Sequence, residues 1–313
     1  MNPAISVILF TTLAGAAQGL FVAIFAVEVW SAVDVVTPPD ATLFFALGNA
    51  IVVALASAGL VASFFHLGRP ERAWRAAARW RTSWLSREVI VLPAFIAATA
   101  LYGGAHYAGL RGTLAAGALA MVLCIALFVC TAMIYICIRF LQEWHTPLTM
   151  VNYFLLGLAS GATLAAAFSA WVAPDLVDIY VIAATTLTLA AFMTRSMSLY
   201  RNARLKPRST LQTAIGVRHP QIAQKAQGFM GSSFNTREFF HGKTLAFVRH
   251  MKWMFLLLTF VLPLVLFSFA IDHPSRSLLL ATFIIQYVGL LAERWFFFAQ
   301  ANHPQNLYYQ TIS

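Results

Sequence analysis

Charge is scarce in this chain: 10% of its 313 residues are charged, and only 11 of those are acidic. A soluble domain carries about 25% charged residues, because a water-facing surface needs them. That shortage excludes a soluble globular protein. Cysteine is scarce as well. Cys124, Cys130 and Cys137 all fall in one apolar run, at spacings that fit neither a Cys-x-x-Cys metal pattern nor a disulfide framework. They read as small core hydrophobes. The chain also lacks a phosphate-binding glycine loop, a catalytic triad and any convincing internal repeat. If it takes part in redox chemistry, electrons must reach it from a docked partner.

Hydrophobic residues are plentiful, at 60%. A helical membrane span needs about 20 mostly apolar residues. Eight runs qualify, near 5–33, 42–66, 87–107, 113–140, 149–171, 177–200, 253–271 and 277–299. The fold class expected is an all-α polytopic membrane protein with eight transmembrane helices. The first run is longer than a signal-peptide core and lacks its basic lead, so it is expected to be retained as a span.

The few charges are sorted between the loops. Of the 21 lysines and arginines, only Arg111 and Arg276 lie in the loops after spans 1, 3, 5 and 7; those same loops hold all five aspartates, Asp34, Asp40, Asp175, Asp178 and Asp272. Basic loops stay on the cytoplasmic side, so both termini are expected there. The interval 201–252 is too long for a simple turn and is read as a cytoplasmic insertion within a single membrane domain spanning 1–313. Within it, Ser209-Thr210-Leu211-Gln212 resembles a capping box, and Gly216 is placed to end that short helix. Gly228-Phe229-Met230-Gly231 is expected to turn. Asn235 is expected to cap a helix carrying Arg237, Glu238, Phe239 and Phe240, closed by Gly242. Its phenylalanines argue that the insertion packs on something, and partner docking is its expected use.

The densest polar segment is 66–89, with six arginines, two glutamates, one histidine and three tryptophans between two apolar runs. Pro70 suits the first turn of a helix. Helical spacing would group Arg72, Arg75 and Arg79, with Glu71 four residues before Arg75. Trp74, Trp80 and Trp84 suit the headgroup level. The middle of the segment is read as an interfacial helix whose arginines meet lipid or a partner protein, not nucleic acid. Its ends differ. His66 closes span 2 and Glu88 opens span 3, so both can face one opening between those helices. Ionisable groups at membrane depth mark functional sites by default. A histidine and a carboxylate, with Arg69, Ser86 and Arg87 as hydrogen-bond donors, suit a quinone headgroup: its carbonyls need donors, and its two-electron reduction needs two protons. An ordinary ion pair pinning the helix ends is the plainer alternative. A bis-histidine haem using His66 and His145 is another, and a transporter or a purely structural tether remain open. Gln18, Glu28, Asn49, Gln286 and Glu293 lie in or near spans and read as interhelical glue, with Glu293 and Arg294 as a local pair. His106 and His273 are placed on the acidic side.

The pattern His66-Leu67-Gly68-Arg69-Pro70-x-Arg72-Ala73, followed by Thr82-Ser83-Trp84-Leu85-Ser86-Arg87-Glu88, resembles the DmsC family. These proteins are membrane anchors of complex iron–sulfur molybdoenzymes of the dimethyl-sulfoxide-reductase type. The resemblance covers the whole chain. It implies a bacterial inner-membrane location and a heterotrimer with a molybdenum (molybdopterin) catalytic subunit and a four-cluster, ferredoxin-like iron–sulfur subunit. It also implies that the anchor exchanges electrons with ubiquinone or menaquinone, carries no haem or metal of its own, and uses His66 and Glu88 at the quinone site. The long 201–252 interval and the ending Ala292-Glu293-Arg294-Trp295 through Tyr308-Tyr309 resemble the SoeC branch, anchors of quinone-linked sulfite dehydrogenase. A quinol-oxidising reductase anchor is the alternative direction. The basic face suits an acidic iron–sulfur partner, and Arg72, Arg75, Arg79, Arg237 and Glu238 are the candidate docking residues.

Overall fold

A computed structural model describes residues 1–65, 67–223, 225, 241–272 and 275–304. Among them there are no strands, and eight helices are long and apolar enough to cross a membrane. The spans are α1 (Ile5–Ala32), α2 (Leu47–Phe64), α3 (Trp84–Tyr107), α4 (Thr113–Ile136), α5 (Pro147–Val172) and α6 (Val177–Ala203), then a two-part span and a final helix. A short helix, α7 (Leu211–Ile215), follows α6. The seventh span joins α8 (Leu245–Leu256) to α9 (Leu262–Asp272) through a π-helical stretch, Leu257–Val261. The eighth is α10 (Arg276–Gln300).

α1 and α5 are the most buried spans, and they lie against each other. Small residues allow this. Apolar side chains gain little by leaving lipid for protein, so close packing has to hold the helices together. A Cβ added at Gly19 would overlap the carbonyl of Gly157, and one at Gly161 would overlap the backbone of Gly19. Polar knots supplement this packing. Gln286 of α10 accepts from Thr163 of α5 at 2.6 Å and donates to Thr188 of α6 at 3.1 Å and to the Thr259 carbonyl at 3.3 Å. Gln18 of α1 donates across to the Cys124 carbonyl of α4 at 2.9 Å. The glue role expected of these two glutamines is therefore visible in their contacts.

Both ends of the described chain meet on one side of the bundle. The Met1 ammonium donates to the Ala301 carbonyl at 2.8 Å, and burial pushes this amine down to about 6. The α2–α3 connection and the α6–α8 interval lie at the same, basic end. At the other end Asp40 starts the second span by accepting from the Thr42 and Leu43 amides, both at 2.9 Å.

Several expectations move. The seventh span begins at Leu245, eight residues before the expected 253, because Thr244 caps it by accepting from the Phe247 amide. Arg249, His250 and Lys252 then ride on a helix that projects past the apolar zone. The short helix is capped by Thr210, one residue after Ser209: its hydroxyl accepts from the Thr213 amide, and the Thr213 hydroxyl accepts from the Thr210 amide at 2.8 Å. Gly216, at φ +71°, ends it as expected. Cys124 and Cys130 are core residues, but Cys137 is exposed, because α4 ends there and the chain leaves the core. The Gly228–Gly231 turn, the Asn235 cap and its helix, and His273 lie outside the described residues.

Candidate functional site

Ser83 opens α3 by accepting from the Ser86 amide at 3.3 Å. This puts Glu88 in the second turn. Glu88, Leu92, Phe95, Thr99 and Tyr102 follow at alternating steps of four and three and are all buried. They form one stripe, so the carboxylate is forced inward by the phase of the helix. α4 answers with its own stripe, and from it the Thr131 hydroxyl donates to Glu88 Oε1 in a short hydrogen bond. Oε2 takes no hydrogen bond from a described residue.

Glu88 forms part of the wall of a cavity of about 280 Å³ at the basic end of the bundle. Leu60 and Phe64 of α2, Ala73 and Ala76 of the α2–α3 connection, Val89 and Leu92 of α3, and Tyr135 of α4 complete most of the wall. The volume lies near the lower end of ligand pockets, about 300 Å³. The wall is apolar apart from Glu88, the Tyr135 phenol and Ser63. A larger cavity, about 510 Å³, lies at the acidic end between α2 and α3, but no carboxylate, histidine or arginine lines it. Of these two cavities, only the first has an acid–base group where a ligand would sit.

The other expected site residues separate. His66 lies outside the described residues, although its neighbour Leu67 lines the cavity. Ser86 is buried beside Glu88 in the first turn but is not on the wall. Arg69 is exposed at the start of the connection. Arg87 turns away from the cavity: its Nε donates to the Trp80 carbonyl and its Nη2 to the Arg81 carbonyl, each at 2.9 Å, and its guanidinium lies 4.1 Å over the Trp84 ring. Arg87 thus braces the end of the connection.

The connection itself differs from expectation. Pro70–Arg79 is a 3₁₀ helix. With about 2.0 Å rise per residue against 1.5 Å for an α-helix, ten residues reach farther along the surface from α2 toward α3. Glu71 pairs with Arg72 at 3.8 Å, not with Arg75, and both side chains are exposed, so the pair contributes little. Arg72, Arg75, Arg79, Trp74 and Trp80 are exposed or half-buried, which leaves the arginines available to headgroups or a partner. Arg237 and Glu238 lie outside the described residues.

Two clusters were not legible from the sequence. Arg195 of α6 counts in the sequence as one of the basic juxtamembrane residues. It is instead buried, with Nε 2.7 Å from Glu293 Oε1, while Arg294 Nε lies 3.5 Å from Glu293 Oε2. The expected Glu293–Arg294 pair is really a triad. At the acidic end, Glu28 accepts from Tyr102 at 2.7 Å and from Thr113 at 2.5 Å, and His106 Nε2 lies 3.3 Å away. His145 is exposed, with Nδ1 2.6 Å from the Ile136 carbonyl. Among the described residues no three histidine, cysteine or carboxylate side chains gather as a metal-binding set.

The chain matches a known family and a known protein. The model of the DMSO reductase anchor subunit (DmsC) family matches residues 1–309. One of the three sulfite dehydrogenase chains of this kind, from Allochromatium vinosum, is 52% identical over 326 aligned positions, covering all of both chains. Eight apolar helices, the basic connection that leads into Glu88 and a match along nearly the whole length agree: the chain belongs to the DmsC family of membrane anchor subunits.

Proposed function

We propose that this protein is the membrane anchor and quinone-reaction subunit of a heterotrimeric molybdoenzyme that oxidises sulfite and reduces membrane quinone. The observation that carries the reading is Glu88, a buried carboxylate held by Thr131 on the wall of an otherwise apolar cavity. Intramembrane carboxylates are costly and mark sites of function. The sulfite direction is supported by the full-length similarity to a sulfite dehydrogenase subunit.

Bound quinone supplies the redox chemistry, taking up two electrons and two protons to become quinol. This chain's residues position it and manage protons. The apolar wall of Leu60, Phe64, Val89 and Leu92 excludes water and accepts the ring and the start of the tail. Thr131 occupies Glu88 Oε1, so Oε2 is the atom that gives or takes a proton at a ligand oxygen. His66 is the second proton-handling group in this reading, with Ser86 beside Glu88 as a supporting donor. Arg69 and Arg87 act from the rim and the brace. The basic end faces the cytoplasm of a bacterial inner membrane, with both termini inside. Electrons arrive there from a four-cluster iron–sulfur subunit fed by the molybdenum subunit. That partner docks on Arg72, Arg75 and Arg79 and on the 201–252 insertion, including Arg237 and Glu238.

Purification of the native complex tests the reading. Iron–sulfur and molybdopterin subunits should co-purify, and sulfite should reduce quinone. His66→Ala should leave the complex assembled and its dye-linked sulfite oxidation intact while quinone-linked turnover is lost. Normal quinone kinetics in that variant would contradict the assignment.

A further inference from the structure

The triad at Arg195, Glu293 and Arg294 has more charge than it can pair internally. Two guanidiniums, which stay protonated, share one carboxylate, and the three side chains are only 3%, 6% and 1% exposed for Arg195, Arg294 and Glu293. A surplus positive charge buried among helices is costly without a counter-ion. The other carboxylates described at this end are poorly placed to serve. Glu71 lies on the exposed connection with Arg72, and Glu143 accepts from Asn302 at 3.4 Å.

Glu88 is placed differently. Between it and the triad lies a cavity of about 20 Å³, lined by Thr131, Tyr153, Arg294, Thr11, Thr12 and Gln18 among others. A single water needs about 10–15 Å³ and two to four polar partners, and both conditions are met. Thr131 touches the cavity on one side and donates to Glu88 on the other. Arg294 lines it too, with its guanidinium 3.8 Å over the Tyr153 ring. Charged and titratable groups around Glu88 come from every packed element: Arg87 on its own helix, Cys130 and Tyr135 on α4, Tyr153 on α5, Arg195 on α6, and Glu293 and Arg294 on α10. Tyr135 and Tyr153 interact electrostatically with both Glu88 and Arg294.

We infer that Glu88 is the counter-ion to the surplus charge of the Arg195–Glu293–Arg294 triad, linked to it through Thr131, the water-sized cavity and Tyr153. Arg294 and Glu293 are then positioning residues that set how readily the acid in the ligand cavity holds a proton. The use of that control in quinone chemistry rests on the function proposed above; the charge linkage does not.

The test is an infrared titration of the purified complex, following the carboxyl band that Glu88→Gln removes. Arg294→Gln should move that titration to higher pH and Glu293→Gln to lower pH, each by on the order of one pH unit. Arg294→Lys, which keeps the charge, should bring it back close to the wild-type position. A purely structural triad would not produce opposite shifts from adjacent residues, so shifts of the same sign, or none, overturn the inference. Should Arg294→Gln fail to assemble, Glu293→Gln alone decides, because absence of its downward shift is equally fatal. The pH profile of quinone-linked turnover should follow the infrared shifts. Opposite infrared shifts with an unmoved profile would leave the linkage standing and remove the quinone reading.

Discussion

The Thr131 hydroxyl of α4 donates to the Glu88 carboxylate of α3 inside the bundle, and it also borders the small cavity that leads to Arg294. One hydroxyl therefore stands between the ligand cavity and the buried arginines.

Removing that hydroxyl isolates its contribution. Thr131→Val keeps the side-chain shape and deletes the donor. A lost hydrogen bond to a charged group costs about 1.5–3 kcal/mol, so quinone-linked turnover should fall at least about tenfold. Thr131→Ser should retain most of it. Steady-state kinetics of the two variant complexes with quinone and with a soluble dye acceptor would separate the effects, and equal activity in Thr131→Val would mean that Glu88 needs no partner.

The α1–α5 seam should be intolerant of bulk. Gly19 faces backbone atoms of Gly157 and Gly161, which cannot rotate away as a side chain would. Gly19→Val should destabilise the bundle by roughly 3 kcal/mol, the upper range for overpacking. Thermal unfolding in detergent would reveal it, whereas Gly104→Ala, which meets nothing within 4 Å, serves as the tolerant control.

Gln286 joins α5, α6, the π-helical stretch and α10 through three hydrogen bonds. Gln286→Leu preserves bulk and removes them all. Polar contacts between membrane helices are worth about 0.6–2 kcal/mol, so a loss near 1–2 kcal/mol is expected. A clear drop in detergent melting temperature with unchanged dye-linked activity would fit; no drop would show that packing alone holds these helices.

Docking through the exposed arginines should depend on salt. Replacing Arg72, Arg75 and Arg79 together by glutamine should weaken association with the iron–sulfur partner and flatten its dependence on ionic strength. Binding measured at low and high salt would show it. An unchanged salt slope would move the docking surface elsewhere.

Much of this arrangement was legible from residue order, and the misses have physical reasons. Eight spans and the segregation of charge follow from hydropathy and the aspartates, because water is excluded from the membrane core. Glu88 could be placed inward from its phase with Leu92, Phe95, Thr99 and Tyr102. Arg195 could not, since an arginine eight residues before Ala203 is equally consistent with a headgroup anchor, and only the position of α10 brings Glu293 to it. The turn of Arg87 toward the Trp80 and Arg81 carbonyls was hidden too. It depends on the 3₁₀ form of the connection, and its composition would equally suit an α-helix.

The central claim is that quinone occupies the Glu88 cavity, and photolabelling tests it most directly. A photoreactive quinone should label the native complex on peptides of α3 and α4 containing Leu85, Val89 or Tyr135, and excess unlabelled quinone should compete the label away. Label confined to the acidic-end cavity around Asn49 and Tyr107, or label on α3 and α4 that excess quinone fails to displace, would contradict it.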